Sequence, residues 1–231
     1  MAEKVQTGIK GFDILTGGGF KRKSVNIIVG GPGSGKTIFC IEFLVEGIKK
    51  GEPGIYITFE EKKTKLYDDM KGFGWDLEKY EKEGKFTFLE YTPEQVKKVL
   101  IEGGGVVDNI ITKQKVKRLV IDSISSFALL YEDELSRKQA SLALFELINK
   151  WECTALLASQ DTSKDEHVVS AAMEFEADSI IILYHMKQKG ERIRALEILK
   201  MRGIGYPERT VSLGIKDGKG ILVDPTSVVS F

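Results

Sequence analysis

Residues 30–37 read Gly-Gly-Pro-Gly-Ser-Gly-Lys-Thr and satisfy the phosphate-loop pattern G-x-x-x-x-G-K-[ST]. The pattern constrains the fold because it works only where a strand delivers the loop and a helix leaves it. Both neighbours are present. Val25 to Val29 carries no charge, as expected of a strand buried on both faces. Thr37 to Lys50 reads as a helix, with Lys49 and Lys50 in its last turn and Gly51 just beyond. The glycines let the loop turn its N–H groups inward toward phosphate oxygens, and the helix amino terminus adds favourable partial charge. Gly31, Pro32, Gly33, Ser34, Gly35, Lys36, Thr37 and the adjoining Ile38 are therefore the candidate nucleotide-binding residues. In such a loop Lys36 reaches the β- and γ-phosphates and the Thr37 hydroxyl ligates magnesium, which makes ATP and Mg2+ the expected ligands.

The rest of the chain fits around that unit. Gly54 to Phe59, Phe86 to Tyr91, Leu119 to Ile121 and Thr154 to Ala158 are strand-like. Helical patterns run from Gln95 to about Thr112, where Gly103-Gly104-Gly105 is a potential break, and from Arg137 to Lys150. This alternation predicts a mostly parallel sheet with helices on both faces. From Ser179 the texture changes. Ser179 to His185, Arg192 to Met201, Thr210 to Ile215 and Gly220 to Val223 are strand-like with Gly-containing turns between them, which predicts carboxy-terminal antiparallel hairpins. With no repeat, low-complexity block or long linker, residues 1–231 read as a single α/β domain.

Four further groups can carry chemistry. Asp122 ends the strand Leu119-Val120-Ile121, where a carboxylate can orient a magnesium-bound water or, alternatively, cap the following helix. Glu60 and Glu61 follow the second strand and can align or deprotonate the water attacking a γ-phosphate; a solvated acidic helix start fits equally. Period-two alternation puts Arg192, Arg194, Lys200 and Arg202 on one strand face, with Ile198 among them, and Ile193, Ala195, Leu199 and Met201 on the other. That face is either a solvated edge or a source of cations for a neighbouring subunit's γ-phosphate. Gln160 follows the fifth strand, as a γ-phosphate sensor or as a loop residue.

Taken in order, these residues resemble the KaiC family within the RecA/RadA superfamily, over nearly the whole chain. Thr7-Gly8-Ile9 through Phe12-Asp13 and Gly17-Gly18-Gly19-Phe20 resemble the family's lead-in to its phosphate loop. Thr58-Phe59-Glu60-Glu61 resembles its glutamate pair, and Val120-Ile121-Asp122-Ser123 its Walker B strand. Glu174-Phe175, Ala177-Asp178, Arg194 and Leu196 through Gly203 are the most specific matches. The resemblance implies a RecA-like P-loop NTPase that assembles as a hexameric ring with ATP between subunits. It implies that Lys36, Glu60, Glu61, Lys200 and Arg202 serve catalysis, the last two from the adjacent subunit. It further implies that Thr37 and Asp122 serve the metal and that Asp217 lies near the adenine. Two departures stand out: Lys23 replaces a common glycine, and Asp161 to Met173 differs, which puts the role of Gln160 in doubt. The second ATPase domain of the clock protein and its autophosphorylated segment have no counterpart, so clock kinase activity is not expected.

Composition narrows the alternatives. Lysine plus arginine equals aspartate plus glutamate at 34 each, so the overall balance does not favour a dedicated nucleic-acid binder. The segments Ala128 to Lys138 and Asp161 to Met173, where a recombinase would contact DNA, are mixed in charge, with Glu132, Asp133, Glu134, Asp161, Asp165 and Glu166. Strand exchange is not expected, whereas weak single-strand binding or a protein partner stays open. Three readings remain: a slow ring ATPase, a DNA-repair accessory of the RadA-paralogue kind, and a non-hydrolysing, nucleotide-gated scaffold. Cys40 and Cys153 read as buried reduced thiols, and His167 and His185 lie too far apart to suggest a metal pair. A polar amino terminus and the lack of an apolar run of about 18 residues predict a cytoplasmic chain without a membrane segment.

Overall fold

Alternate residues of the strand before the phosphate loop enter two different cores. In the computed structural model, which describes residues 3–128, 130–131, 133–160 and 175–230, Ile28 packs in the cluster that contains Phe39, Phe43 and Leu44. Ile27 and Val29 pack instead in the cluster of Leu144, Phe145 and Ile148. A strand buried on both faces leaves no position for a charge, which is why Val25 to Val29 has none.

The elements run in chain order β1 (Lys4–Val5), α1 (Lys10–Leu15), β2 (Phe20–Lys21), β3 (Val25–Gly30), α2 (Lys36–Lys49), β4 (Gly54–Thr58), α3 (Lys63–Lys71), α4 (Leu77–Lys82) and β5 (Phe86–Glu90). They continue with α5 (Pro93–Ile101), α6 (Gly105–Gln114), β6 (Arg118–Asp122), α7 (Ile124–Ala128), α8 (Glu134–Trp151) and β7 (Thr154–Gln160). The series closes with β8 (Ser179–Gln188), β9 (Glu191–Met201), β10 (Val211–Lys216) and β11 (Gly220–Val223). The long helix expected from Gln95 is two helices, α5 and α6, parted at the Gly103-Gly104-Gly105 run.

Nine strands form one sheet in the order β11-β10-β9-β8-β3-β7-β6-β4-β5. The strands from β8 to β5 in that order are parallel neighbours, and β8 to β11 are joined antiparallel. This is the expected α/β architecture: a mostly parallel sheet extended by hairpins. The helix α2 covers one face with Phe39, Phe43, Leu44 and Ile48, and α8 covers the other with Leu144, Phe145, Ile148 and Trp151. Each such fully buried side chain contributes about 2 kcal/mol through area removed from water. Phe12 and Phe20 extend the α2 side, with Phe12 edge-on to Phe39 at 5.4 Å between ring centroids.

The end of the sheet away from the phosphate loop is fastened by Arg118, which is 1% exposed. Its guanidinium reaches Glu52 at 2.8 and 2.7 Å, donates to the carbonyls of Gln6 (2.8 Å) and Phe43 (2.7 Å), and lies over the Phe43 ring. Room for it comes from Gly47, where a Cβ would meet the Arg118 Cδ and Nε at 2.4 Å.

The alternation expected along β9 is corrected by a β-bulge. Ile180 pairs with Lys200 but Ile181 pairs with Ile198, so Leu199 is the extra residue. An extra residue reverses the phase of every side chain beyond it. Leu196, Ile198 and Met201 consequently share one core cluster, while Leu199 is 38% exposed. Arg192 and Arg194 therefore do not share a face with Lys200. The segment Asp161 to Met173, together with Glu132, His167 and Glu174, lies outside the described residues.

Candidate active site

Parallel register brings four strand ends to one edge. Gly30 of β3 lies opposite Gln160 of β7, and Asp122 of β6 lies opposite both Ala158 of β7 and Thr58 of β4. In an open α/β sheet, ligands bind outside this carboxyl edge. The phosphate loop rises from Gly30 and turns into α2 through Gly35, at φ +105°. A Cβ there would lie 2.9 Å from the Ile215 Cδ1 of β10, so the carboxy-terminal hairpin closes over the loop and excludes a larger residue.

Lys36 and Thr37 leave the loop side by side. The Lys36 ammonium donates to the carbonyls of Gly30 (2.6 Å) and Gly31 (3.2 Å). The Thr37 hydroxyl donates to Asp122 Oδ2 at 2.9 Å, and the Tyr56 hydroxyl donates to the same oxygen at 2.8 Å. Burial pushes the Asp122 carboxyl up from its ordinary range, opposed by those two hydrogen bonds and by the charge of Lys36, while Glu60 adds a further upward push. The Tyr56 hydroxyl is pushed well up by burial and by the Asp122 charge beside it. Beneath them the buried Cys40 thiol is likewise pushed up, by burial and then by Asp122. As expected, Cys40 and Cys153 are buried free thiols. The paired oxygens of Thr37 and Asp122, hard and one of them anionic, suit a magnesium ion held mainly by phosphates and water.

Glu60 and Glu61 follow β4, both with backbone N–H groups on the Thr58 hydroxyl, at 3.3 and 3.1 Å. The Glu60 carboxylate accepts a hydrogen bond from Ser126. From the other side, His185 of β8 and Arg194 of β9, directly opposed across the hairpin, brace the loop. Arg194 Nε donates to the Gly33 carbonyl at 2.9 Å, and His185 Nδ1 lies 3.3 Å from the Pro32 carbonyl.

The family model described as ATPase: KaiC matches residues 5–228. The chain belongs to the KaiC family of ATPases. Circadian clock protein KaiC3 of Synechocystis is 32% identical over 98% of this chain, which spans 46% of that protein's length. The chain thus spans about half of the clock protein. A UPF0273 protein of Thermotoga maritima is 32% identical and covered over 98% of both chains. The solved structure of a KaiC-like protein from Pyrococcus horikoshii superposes with a TM-score of 0.86 at 33% identity, covering 97% of this chain and 100% of that one. The RecA-like fold expected of a KaiC-family chain, and its P-loop, are those described above.

Within this KaiC-family fold the sequence-derived candidates fall into two groups. Gly31 through Thr37, Glu60, Glu61, Asp122 and Gln160 share the carboxyl edge, with Ile38 half-buried against the α2 core. Lys200 and Arg202 do not join them. Met201 is opposite Ser179, and Ser179 is opposite Asn26, at the start of β3. Four residue steps separate Asn26 from Gly30, about 13 Å of strand. Both cations are turned instead to the Phe175 carbonyl. Asp217 is exposed in the turn between β10 and β11. Sequence reasoning missed Tyr56, His185 and the two serines of α7. For Tyr56 a signal was available, since a hydroxyl in an otherwise apolar buried strand needs a partner.

Proposed function

We propose that this chain binds ATP with magnesium and hydrolyses it slowly, as one subunit of a homo-oligomeric ring, with a hexamer as the expected size. The observation that carries the reading is the convergence of Lys36, Thr37 and Asp122 at one sheet edge, with Thr37 and Asp122 in direct hydrogen bond. Backbone N–H groups of Gly31 to Thr37 would hold the phosphates, with Lys36 leaving the loop carbonyls for the β- and γ-phosphates. Thr37 and Asp122 would hold the magnesium ion, which neutralises charge on the phosphates when bound. Glu60 or Glu61 would orient water, and Gln160 would contact the γ-phosphate side of the site. Lys200 and Arg202 would serve the neighbouring subunit's nucleotide, with Asp217 near its adenine, since their own phosphate loop stands at the far end of the sheet. A slow basal rate follows if these cations act only after assembly.

DNA-repair support or signalling is the setting proposed for this activity, with single-stranded DNA or a protein as the partner. A non-hydrolysing scaffold is the competing reading. The test is steady-state ATP hydrolysis with and without single-stranded DNA, with particle mass measured in the same buffers. Hydrolysis stimulated by DNA favours repair, and an assembled ring without hydrolysis favours the scaffold. Lys36→Ala is expected to lose nucleotide binding. Arg202→Ala is expected to keep binding and lose hydrolysis; normal hydrolysis in that variant refutes action across the interface.

A further inference from the structure

Helix α7 carries two adjacent serines that reach opposite walls of the candidate site. The Ser126 hydroxyl donates to Glu60 Oε1, at the end of β4. The Ser125 hydroxyl accepts the Gln160 N–H at 2.7 Å and lies 3.4 Å from the Ser159 hydroxyl, at the end of β7. Gln160 in turn lies opposite Gly30, where the phosphate loop begins. One short helix therefore joins the start of the phosphate loop, through β7, to the carboxylate of Glu60.

The backbone at Glu60 is fixed by its N–H bond to Thr58, so rotation of the side chain alone decides where the carboxylate points. While one oxygen accepts from Ser126, the carboxylate is held toward α7 by a charge-assisted hydrogen bond. A water approaching the site must compete with that hydroxyl for the same lone pairs. Release of the bond would free Glu60 to turn, and the strand end that anchors Ser125 is the one beside the phosphate loop.

We propose that Ser126 is a positioning residue that holds Glu60 away from water, and that Ser125 couples this hold to the phosphate-loop end of β7. The inference rests on the proposed reading in which Glu60 orients the attacking water. In it α7 is a restraint on hydrolysis built into each subunit, distinct from the supply of cations by a neighbour.

The test compares kcat and KM for magnesium ATP in the full chain and in Ser126→Ala, Ser126→Cys, Ser126→Thr and Ser125→Ala. Ser126→Ala is expected to raise kcat roughly tenfold at unchanged KM, the scale of one lost hydrogen bond to a carboxylate. Ser126→Cys, a weaker donor of similar size, should fall between, which keeps the test open if the alanine variant folds poorly. Ser126→Thr restores the hydroxyl and should restore the slow rate. Ser125→Ala should raise kcat as well, and the double alanine variant should gain no more than Ser126→Ala alone, because both changes release one restraint.

An unchanged or lowered kcat in Ser126→Ala, with an active parent chain, overturns the hold and leaves the ATPase reading intact. An inactive parent with an active Ser126→Ala supports the hold and shows it to be complete. Inactivity in both overturns the hold together with hydrolysis. Equal gains that add in the double variant overturn the coupling through Ser125.

Discussion

Replacing Tyr56 by Phe removes one oxygen from the middle of the site and little else. The ring, 0% exposed and stacked on Phe88 at 5.9 Å, keeps its packing. What disappears is the 2.8 Å hydrogen bond to Asp122 Oδ2, leaving Thr37 on that oxygen. A hydrogen bond to a charged acceptor is worth about 1.5–3 kcal/mol. Because Asp122 retains a second donor, about 2 kcal/mol is expected to be lost at pH 8.

The loss should depend on pH, and its sign follows from linkage. The Asp122 carboxyl is raised above 3.8 in the folded chain, so the folded state takes up the proton first and this group's contribution falls as pH rises. Without Tyr56 the ionised form loses a donor, the carboxyl rises further, and the penalty is greatest where Asp122 is ionised. It should shrink as pH falls through the raised folded value. Urea unfolding of both chains without nucleotide, at pH 8 and in steps toward acid, measures this directly. A loss below about 0.5 kcal/mol at pH 8, or one that is constant with pH, refutes the assigned role of Tyr56 as a donor to ionised Asp122.

Two other perturbations test the frame around the site. Arg118→Met leaves Glu52 with one cationic partner and deprives the Gln6 and Phe43 carbonyls of their donor, so a loss of about 3–5 kcal/mol is expected in denaturant unfolding. Glu42 is 7% exposed, accepts the Ile221 N–H at 2.8 Å, and is raised from 4.5 to about 7, chiefly by burial. A raised carboxyl costs stability as pH climbs from 4.5 to about 7, by at most about 3 kcal/mol. Glu42→Gln keeps an acceptor for Ile221, so its Tm should exceed the parent's at pH 8 and the two should converge near pH 4.

The phosphate loop was legible because its chemistry demands a fixed local sequence, and the strand and helix beside it announce themselves by burial and length. Other features depend on contacts made far along the chain. Arg118 follows Lys115, Val116 and Lys117, a run that reads as solvated, yet it is buried because Glu52, Gln6 and Phe43 converge on it. Lys23 adopts the left-handed conformation that glycine favours, at φ +59°. Its N–H donates to Thr154 and its ammonium to Glu152 at 2.7 Å, so tertiary contacts support a backbone that the residue itself disfavours. The bulge at Leu199 has no local signature, because period-two alternation can be read through it without conflict until the partner strand is known.

That bulge bears on how the site can be completed. Without it, Lys200 would share a face with Arg194, which donates to the Gly33 carbonyl of its own phosphate loop. With it, the phase reverses beyond Leu199, and strand direction independently places Arg202, two strands away, level with the start of β3 rather than with Gly30. Two properties of one strand thus separate Arg194, which braces this loop, from Lys200 and Arg202, which are turned to the Phe175 carbonyl. The register keeps Lys200 and Arg202 away from this chain's own phosphate loop. On the proposed reading they serve the nucleotide of the next copy. Deleting Leu199 removes the bulge but sets Lys200 directly after Ile198, so alternation still turns Lys200 to the face opposite Arg194 and the split is expected to survive the deletion.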